Sequence, residues 1–222
     1  MAQVAVIGLS TFGLALVQAL AGERCRVLAV DIDERKVEQV RDLADEAIIA
    51  DARERNALEA LRITDYDAVV LSVGEPLDSS LLAALHLRDL KVKRIIAKAV
   101  SEDHRRLLRS LGVEEVIFPE ADMARRVARA LPNPMVIDTV SLGEDFTVAE
   151  VAPAKEFIGL TLGQVSARLR DSVSIVAIRD MLRDEVRFNP RSDALITDSD
   201  VLVAIGKDAD VRSFAARSRS AR

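Results

Sequence analysis

The sequence predicts a doubly wound, parallel α/β sheet followed by a smaller α+β unit. Three observations carry this. Apolar runs without polar alternation recur through residues 1–119, separated by stretches of helical character. A turn bearing glycines lies between the first run and the first helix. Beyond Pro132 and Pro134 the texture changes to short strands set close together.

The opening stretch "VAVIGLSTFGLALVQALAG", residues 4–22, has no ionisable side chain and is long enough to span a bilayer. Its interior argues against that use. Gly8, Ser10, Thr11 and Gly13 cluster where a spanning helix would carry Leu or Ile. Val4, Val6 and Ile7 ahead of the cluster favour a strand, and Leu14, Ala15, Leu16, Ala19 and Leu20 after it favour a helix. No basic segment precedes it, as a secretory signal would require. Strand, turn and helix is the reading.

The remaining strands of the first unit are read from "RVLAVD", "EAIIA", "DAVVLSVG", "RIIAKA" and "EEVIFP". Helices are expected over 11–22, 34–44, 53–61, 77–89, 102–110 and 120–130. Runs of this kind are strands covered on both faces. Ser101 and Asp103 mark the start of the fifth helix and Gly112 follows its end. "ALPNPMV" then stops the sixth, so a boundary is expected between residues 133 and 134. The second unit reads as "MVIDTVSL", "FTVAEVAP", a helix in "LTLGQVSARLRD", then "VSIVAIRD", "EVRFNP", "DVLVAIG" and a helix from about Asp208.

Composition excludes several functions. Half the residues are hydrophobic and 30% charged, as in an ordinary soluble protein. A net charge of −5, 3% aromatics and no Trp argue against a nucleic-acid partner. Cys25 is the lone cysteine, which fits a reducing cytoplasm and leaves no Cys-rich zinc site. It is read as a buried packing residue.

Gly8, Ser10 and Gly13 form G-x-S-x-x-G, one residue away from the dinucleotide fingerprint, in the strand-turn-helix context that gives it meaning. The sheet is therefore expected to be Rossmann-like. Gly8 permits the tight turn and Gly13 close packing of helix on strand. Ser10 puts a side chain where a backbone normally approaches a diphosphate. Its hydroxyl can donate to phosphate, or its bulk can weaken binding. Asp31 ends the second strand, where a carboxylate accepts from ribose hydroxyls. Asp51 and Arg53, Ser72 to Gly74, Lys98 and Glu120 follow the later strands, at the sheet edge where such folds bind ligands. Lys98 either meets phosphate or snorkels. Glu120 either complements a helix dipole or serves a metal or phosphate. Catalytic residues are not evident. His86 and His104 sit within helices and read as surface or packing residues, and Tyr66 heads no Tyr-x-x-x-Lys pair.

The order of "VAVIGLSTFG", "VLAVDIDERKVEQV", "IIADARERNALEALRITDYDAVVLSVG" and "RIIAKAVSEDHRRLLRSLGVEEVIFPEADMARRVA", with a C-terminal "GLTLGQVSARL…VSIVAIRD…DSDVLVAIG", resembles the Trk/Ktr potassium-uptake regulatory subunits. These are free-standing RCK (KTN) proteins with an N-terminal nucleotide-binding lobe and a smaller C-terminal lobe of the TrkA-C type. The resemblance implies domains at 1–133 and 134–222 and a cytoplasmic homo-oligomer, from dimer to octameric ring. It implies docking on an integral-membrane potassium channel or transporter subunit at the inner face of the membrane, with no catalysis. It implies an adenine nucleotide, ATP or ADP, with AMP or NAD as alternatives, and a divalent cation held by Glu120.

The positions implied for the nucleotide are Gly8, Ser10, Thr11, Phe12 and Gly13 in the turn. Asp31, Asp33, Asp51, Ala52, Arg53, Gly74, Lys98 and Glu120 follow along the sheet edge. Ile158, Arg168 and Ile175 are implied to face a second ligand, cyclic di-AMP, in the C-terminal lobe. Two positions depart from the Ktr pattern G-x-G-R-F-G. Ser10 replaces its second glycine and Thr11 its arginine, which removes a charge-assisted contact to a third phosphate. The alternatives are an NAD-linked oxidoreductase, or a scaffold ring with a degenerate pocket.

Overall fold

The computed structural model describes residues 1–131, 136–143, 145–169 and 172–217. It divides into two compact units, Met1–Asp122 and Met123–Arg222. The boundary expected at 133/134 lies outside the described residues.

The first unit alternates β1 (Ala2–Ile7), α1 (Thr11–Leu20), β2 (Cys25–Asp31), α2 (Glu34–Gln39), β3 (Glu46–Ile49) and α3 (Arg55–Ala60). It continues through β4 (Ala68–Leu71), α4 (Leu77–Asp89), β5 (Ile95–Lys98), α5 (Glu102–Ser110), β6 (Glu115–Ile117) and the start of α6 (Pro119–Ala130). The strands order as β3-β2-β1-β4-β5-β6, all parallel. This is the doubly wound order, whose reversal falls between β1 and β4.

The absence of alternation in the strands now has its cause. Ala5 and Ile7 of β1 pack into one apolar cluster with Leu58, Ala83, Ala84, Leu87 and Leu108 from α3, α4 and α5. Val6, between them, packs into another with Val17 of α1 and Val37 of α2. Both faces of β1 are covered, so consecutive residues must all be apolar. The helices predicted over 34–44 and 53–61 are shorter in the structure. Residues 40–44 form turns after a C-cap at Val40, and Asp51 and Arg53 belong to the β3–α3 loop.

The second unit holds β7 (Val136–Leu142), β8 (Phe146–Val151), α7 (Leu162–Leu169), β9 (Val173–Asp180), β10 (Glu185–Phe188), β11 (Asp200–Lys207) and α8 (Asp208–Arg217). Its sheet runs β10-β9-β11-β8-β7 and is antiparallel throughout. Ala149 and Val151 alternate with half-buried neighbours along β8, and α7 and α8 close the buried side. Phe157 and Phe214 stack there, ring centroids 6.1 Å apart. Among the described residues no helix is long and apolar enough to cross a membrane.

Candidate functional site

A cleft of about 500 Å³ opens over the carboxyl ends of the parallel strands, within the size range of small-molecule sites. Five strands contribute to it: Ile7 at the end of β1 and Gly8 after it, Asp31 from β2, Asp51 after β3, Ser72 after β4 and Lys98 from β5.

The turn after β1 is built by close approach. Gly8 has φ +91°, and a Cβ there would lie 2.8 Å from Val73. A Cβ on Gly13 would lie 2.1 Å from the Gly8 carbonyl oxygen, so α1 can seat on β1 only with glycine at this position. Ser10 caps α1, its Oγ accepting weakly from the Gly13 N–H at 3.5 Å. The same hydroxyl lies 2.7 Å from Ser72 Oγ, so the side chain in place of the usual glycine tethers the turn to the end of β4.

Asp31 is 7% exposed and already committed on both oxygens. Its Oδ2 accepts from the Leu9 N–H at 2.6 Å and its Oδ1 from the Asp33 N–H at 2.9 Å. Lys36 Nζ stands 3.6 Å from Oδ2. A carboxylate has about four lone-pair directions, so room remains for a ribose hydroxyl.

The other cations of the cleft are paired too. Arg53 grips Asp51 through Nε, at 3.0 Å to each oxygen, and through Nη2 at 2.6 Å. These bonds hold the Asp51 carboxyl below its ordinary range and raise the Arg53 guanidinium. Lys98 donates to Glu120 Oε1 at 2.6 Å, which lowers the Glu120 carboxyl in turn.

The cleft thus gathers Gly8, Ser10, Asp31, Asp51, Ala52, Arg53, Gly74 and Lys98 of the expected set. Thr11, Phe12, Gly13, Asp33 and Glu120 are not part of its wall. Gly13 acts from behind, through helix packing. Asp33 caps α2 by accepting from the Arg35 N–H at 2.9 Å. Glu120 reaches the cleft only through Lys98. Among the described residues no group of three or more His, Cys, Asp or Glu is placed to hold a metal ion. The wall also includes Lys36, Glu75 and Val100, which the sequence did not single out. Lys36 carried a signal, being a cation in the first turn of the helix that follows the strand-end carboxylate Asp31.

His104 is a packing residue and fully buried. Its Nδ1 accepts from the Val100 N–H at 3.4 Å, while Nε2 has no partner. Burial lowers its pKa. Cys25 is half-buried rather than buried, because β2 begins at the rim of the sheet.

In the second unit, Arg168 on α7 donates to the Glu156 carbonyl at 3.4 Å, beside the 155–157 turn that Ile158 follows. Ile158 is 39% exposed. Ile175 lies on β9 opposite Ala204 and packs partly on the core. The structure brings Arg168 and Ile158 to one segment and leaves Ile175 on the sheet. Two cavities in this unit, one beside Lys207 and one between Arg187 and Asp198, are lined by none of the three.

A doubly wound sheet with its turn, strand-end carboxylate and cleft at the topological reversal defines a nucleotide-binding class of domain. Family comparison agrees: residues 4–119 match the TrkA-N domain and residues 146–218 the TrkA-C domain. The chain is 33% identical over 213 residues to Ktr system potassium uptake protein C of Bacillus subtilis, covering 96% of each chain. It is 29% identical over 204 residues to Ktr system potassium uptake protein A of Vibrio alginolyticus, covering 92% of each. The chain belongs to the Trk/Ktr-type family of RCK proteins. Its fold is also that of the RCK domain of GsuK, at TM-score 0.64 and 18% identity, covering 100% of this chain and 48% of that one. A further similar structure is the GsuK channel bound to NAD, at TM-score 0.63 and 18% identity, covering 100% of this chain and 40% of that one.

Proposed function

We propose that this chain is a regulatory subunit of a potassium-transport system, a binding protein and not an enzyme. It takes an adenine nucleotide in the N-terminal cleft and acts on an integral-membrane channel or transporter subunit from the cytoplasmic side. The carrying observation is Asp31. It is buried at the end of β2, bonded to the turn that would face the phosphates, and lines the cleft. The Ktr names of its full-length relatives support the potassium assignment, and a GsuK channel bound to NAD supports a nucleotide in this fold. ADP, AMP and NAD fit the cleft's chemistry as well as ATP does, since Lys36 and Arg53 already have carboxylate partners and Lys98 is a single buried cation. Self-association is part of the same reading. Met123 and Val127 of α6 and Leu131 just beyond it are 53%, 47% and 75% exposed, an apolar face that a second copy would cover. Ile158, Arg168 and Ile175 are the residues through which cyclic di-AMP would bind the C-terminal unit.

Physically, regulation requires only that ligand favour one conformation over another by its differential affinity. Thermal unfolding of the purified chain with ATP, ADP, AMP, NAD and cyclic di-AMP tests the reading. A concentration-dependent rise in Tm with an adenine nucleotide is expected. No rise with any of them would overturn nucleotide sensing and leave a scaffold.

A further inference from the structure

Lys98 differs from the other cations of the cleft. Its side chain is 9% exposed, against 41% for Lys36 and 48% for Arg53. A buried ammonium needs a counter-charge, and Glu120 supplies it at 2.6 Å. The dependence is one-sided. The Glu120 side chain is 60% exposed and sits in the first turn of α6, where water and the helix dipole stabilise a free carboxylate. Separating the pair would strand Lys98 but cost Glu120 little. Lys98 also lines the cleft, while Glu120 approaches it from outside.

We infer that an anionic ligand entering the cleft exchanges with Glu120 on Lys98. A phosphate oxygen takes the ammonium, and the Glu120 carboxylate is released at the start of α6. The inference rests on the nucleotide reading and adds its regulation. Occupancy of the cleft becomes a change in charge pairing on the helix that continues past Asp122 into the C-terminal unit.

The consequence is that Glu120 opposes phosphate binding when no metal ion is present. Calorimetric titration of the full chain in a chelating buffer tests this, with ADP and with uncharged adenosine as probes. Glu120→Gln and Glu120→Ala are each expected to tighten ADP at least threefold and to leave adenosine unchanged. Adding Lys98→Gln to Glu120→Gln should abolish the gain. If wild type binds ADP and neither variant binds it more tightly, the exchange is overturned while the nucleotide reading stands. Equal tightening of adenosine also overturns it, because the effect would not depend on phosphate charge. If neither wild type nor variants bind ADP, both readings fall. Binding by the Glu120 variants alone would support the exchange.

Discussion

The Leu9 N–H donates to Asp31 Oδ2 at 2.6 Å, joining the turn after β1 to the end of β2 across 22 residues of sequence. This bond makes Asp31 a structural residue as well as part of the cleft wall. Asp31→Ala should leave the buried Leu9 N–H unpaired and lower stability by about 1–3 kcal/mol in urea unfolding. It should also weaken adenine-nucleotide binding by about 1–3 kcal/mol through loss of the ribose acceptor. Nucleotide affinity equal to wild type would remove Asp31 from the site.

Gly13→Ala tests the seat of α1. The added Cβ would lie 2.1 Å from the Gly8 carbonyl oxygen, backbone against backbone, with no flexible side chain to yield. The helix must back away from β1. A stability loss of about 3 kcal/mol is expected, the upper end for overpacking. A loss below about 1 kcal/mol would mean that α1 is not seated as described.

ATP and ADP should bind with similar affinity. Thr11 carries no charge, Arg53 and Lys36 are held by carboxylates, and Lys98 can meet only one phosphate of either nucleotide. A third phosphate therefore meets no unpaired positive side chain there. Titration of both nucleotides checks this. A hundredfold preference for ATP, about 2.7 kcal/mol, would show that some other cation supplies the contact.

His104 should make stability depend on pH in a known direction. Burial lowers its pKa in the folded state, so the unfolded chain binds the extra proton first as pH falls. Its contribution is complete above the unfolded value near 6.5 and is lost as pH drops below it. The slope approaches about 1.4 kcal/mol per pH unit down to the lowered folded value. His104→Gln should flatten the urea midpoint between pH 7 and 5 relative to wild type. An unchanged pH profile would show that the imidazole is solvated.

Light scattering at micromolar concentration should find at least a dimer. The exposed apolar residues Met123, Val127 and Leu131 are the reason, and Met123→Glu with Val127→Glu should shift the population toward monomer. A wild-type mass of 24.2 kDa, that of one chain, would remove self-association from the mechanism.

Much of this was legible in order along the chain. The uninterrupted apolar runs announced strands covered on both faces, and G-x-S-x-x-G between a strand and a helix announced the tight turn that the structure builds there. Asp31, Asp51 and Lys98 could be placed at one edge because parallel strands all end on the same side. Helix ends were less legible. Residues 40–44 keep an apolar pattern yet leave the helix, because Val40 and Ala44 pack on the core from turns and need no helix to do so.

By itself the sequence determined which segments are strands or helices, and which residue types reach the carboxyl edge of the sheet. Both follow from local periodicity and chain direction. Only tertiary structure decided the pairings. Ser10 with Ser72 is 62 residues apart, Asp31 with Leu9 is 22, and Lys98 with Glu120 is 22. It also decided that His104 is buried and that Asp31 serves the fold before any ligand arrives. Such facts depend on which groups meet when distant segments pack. They are set by desolvation, because a buried donor, ammonium or carboxylate takes the partner within reach, and local sequence does not say which that is.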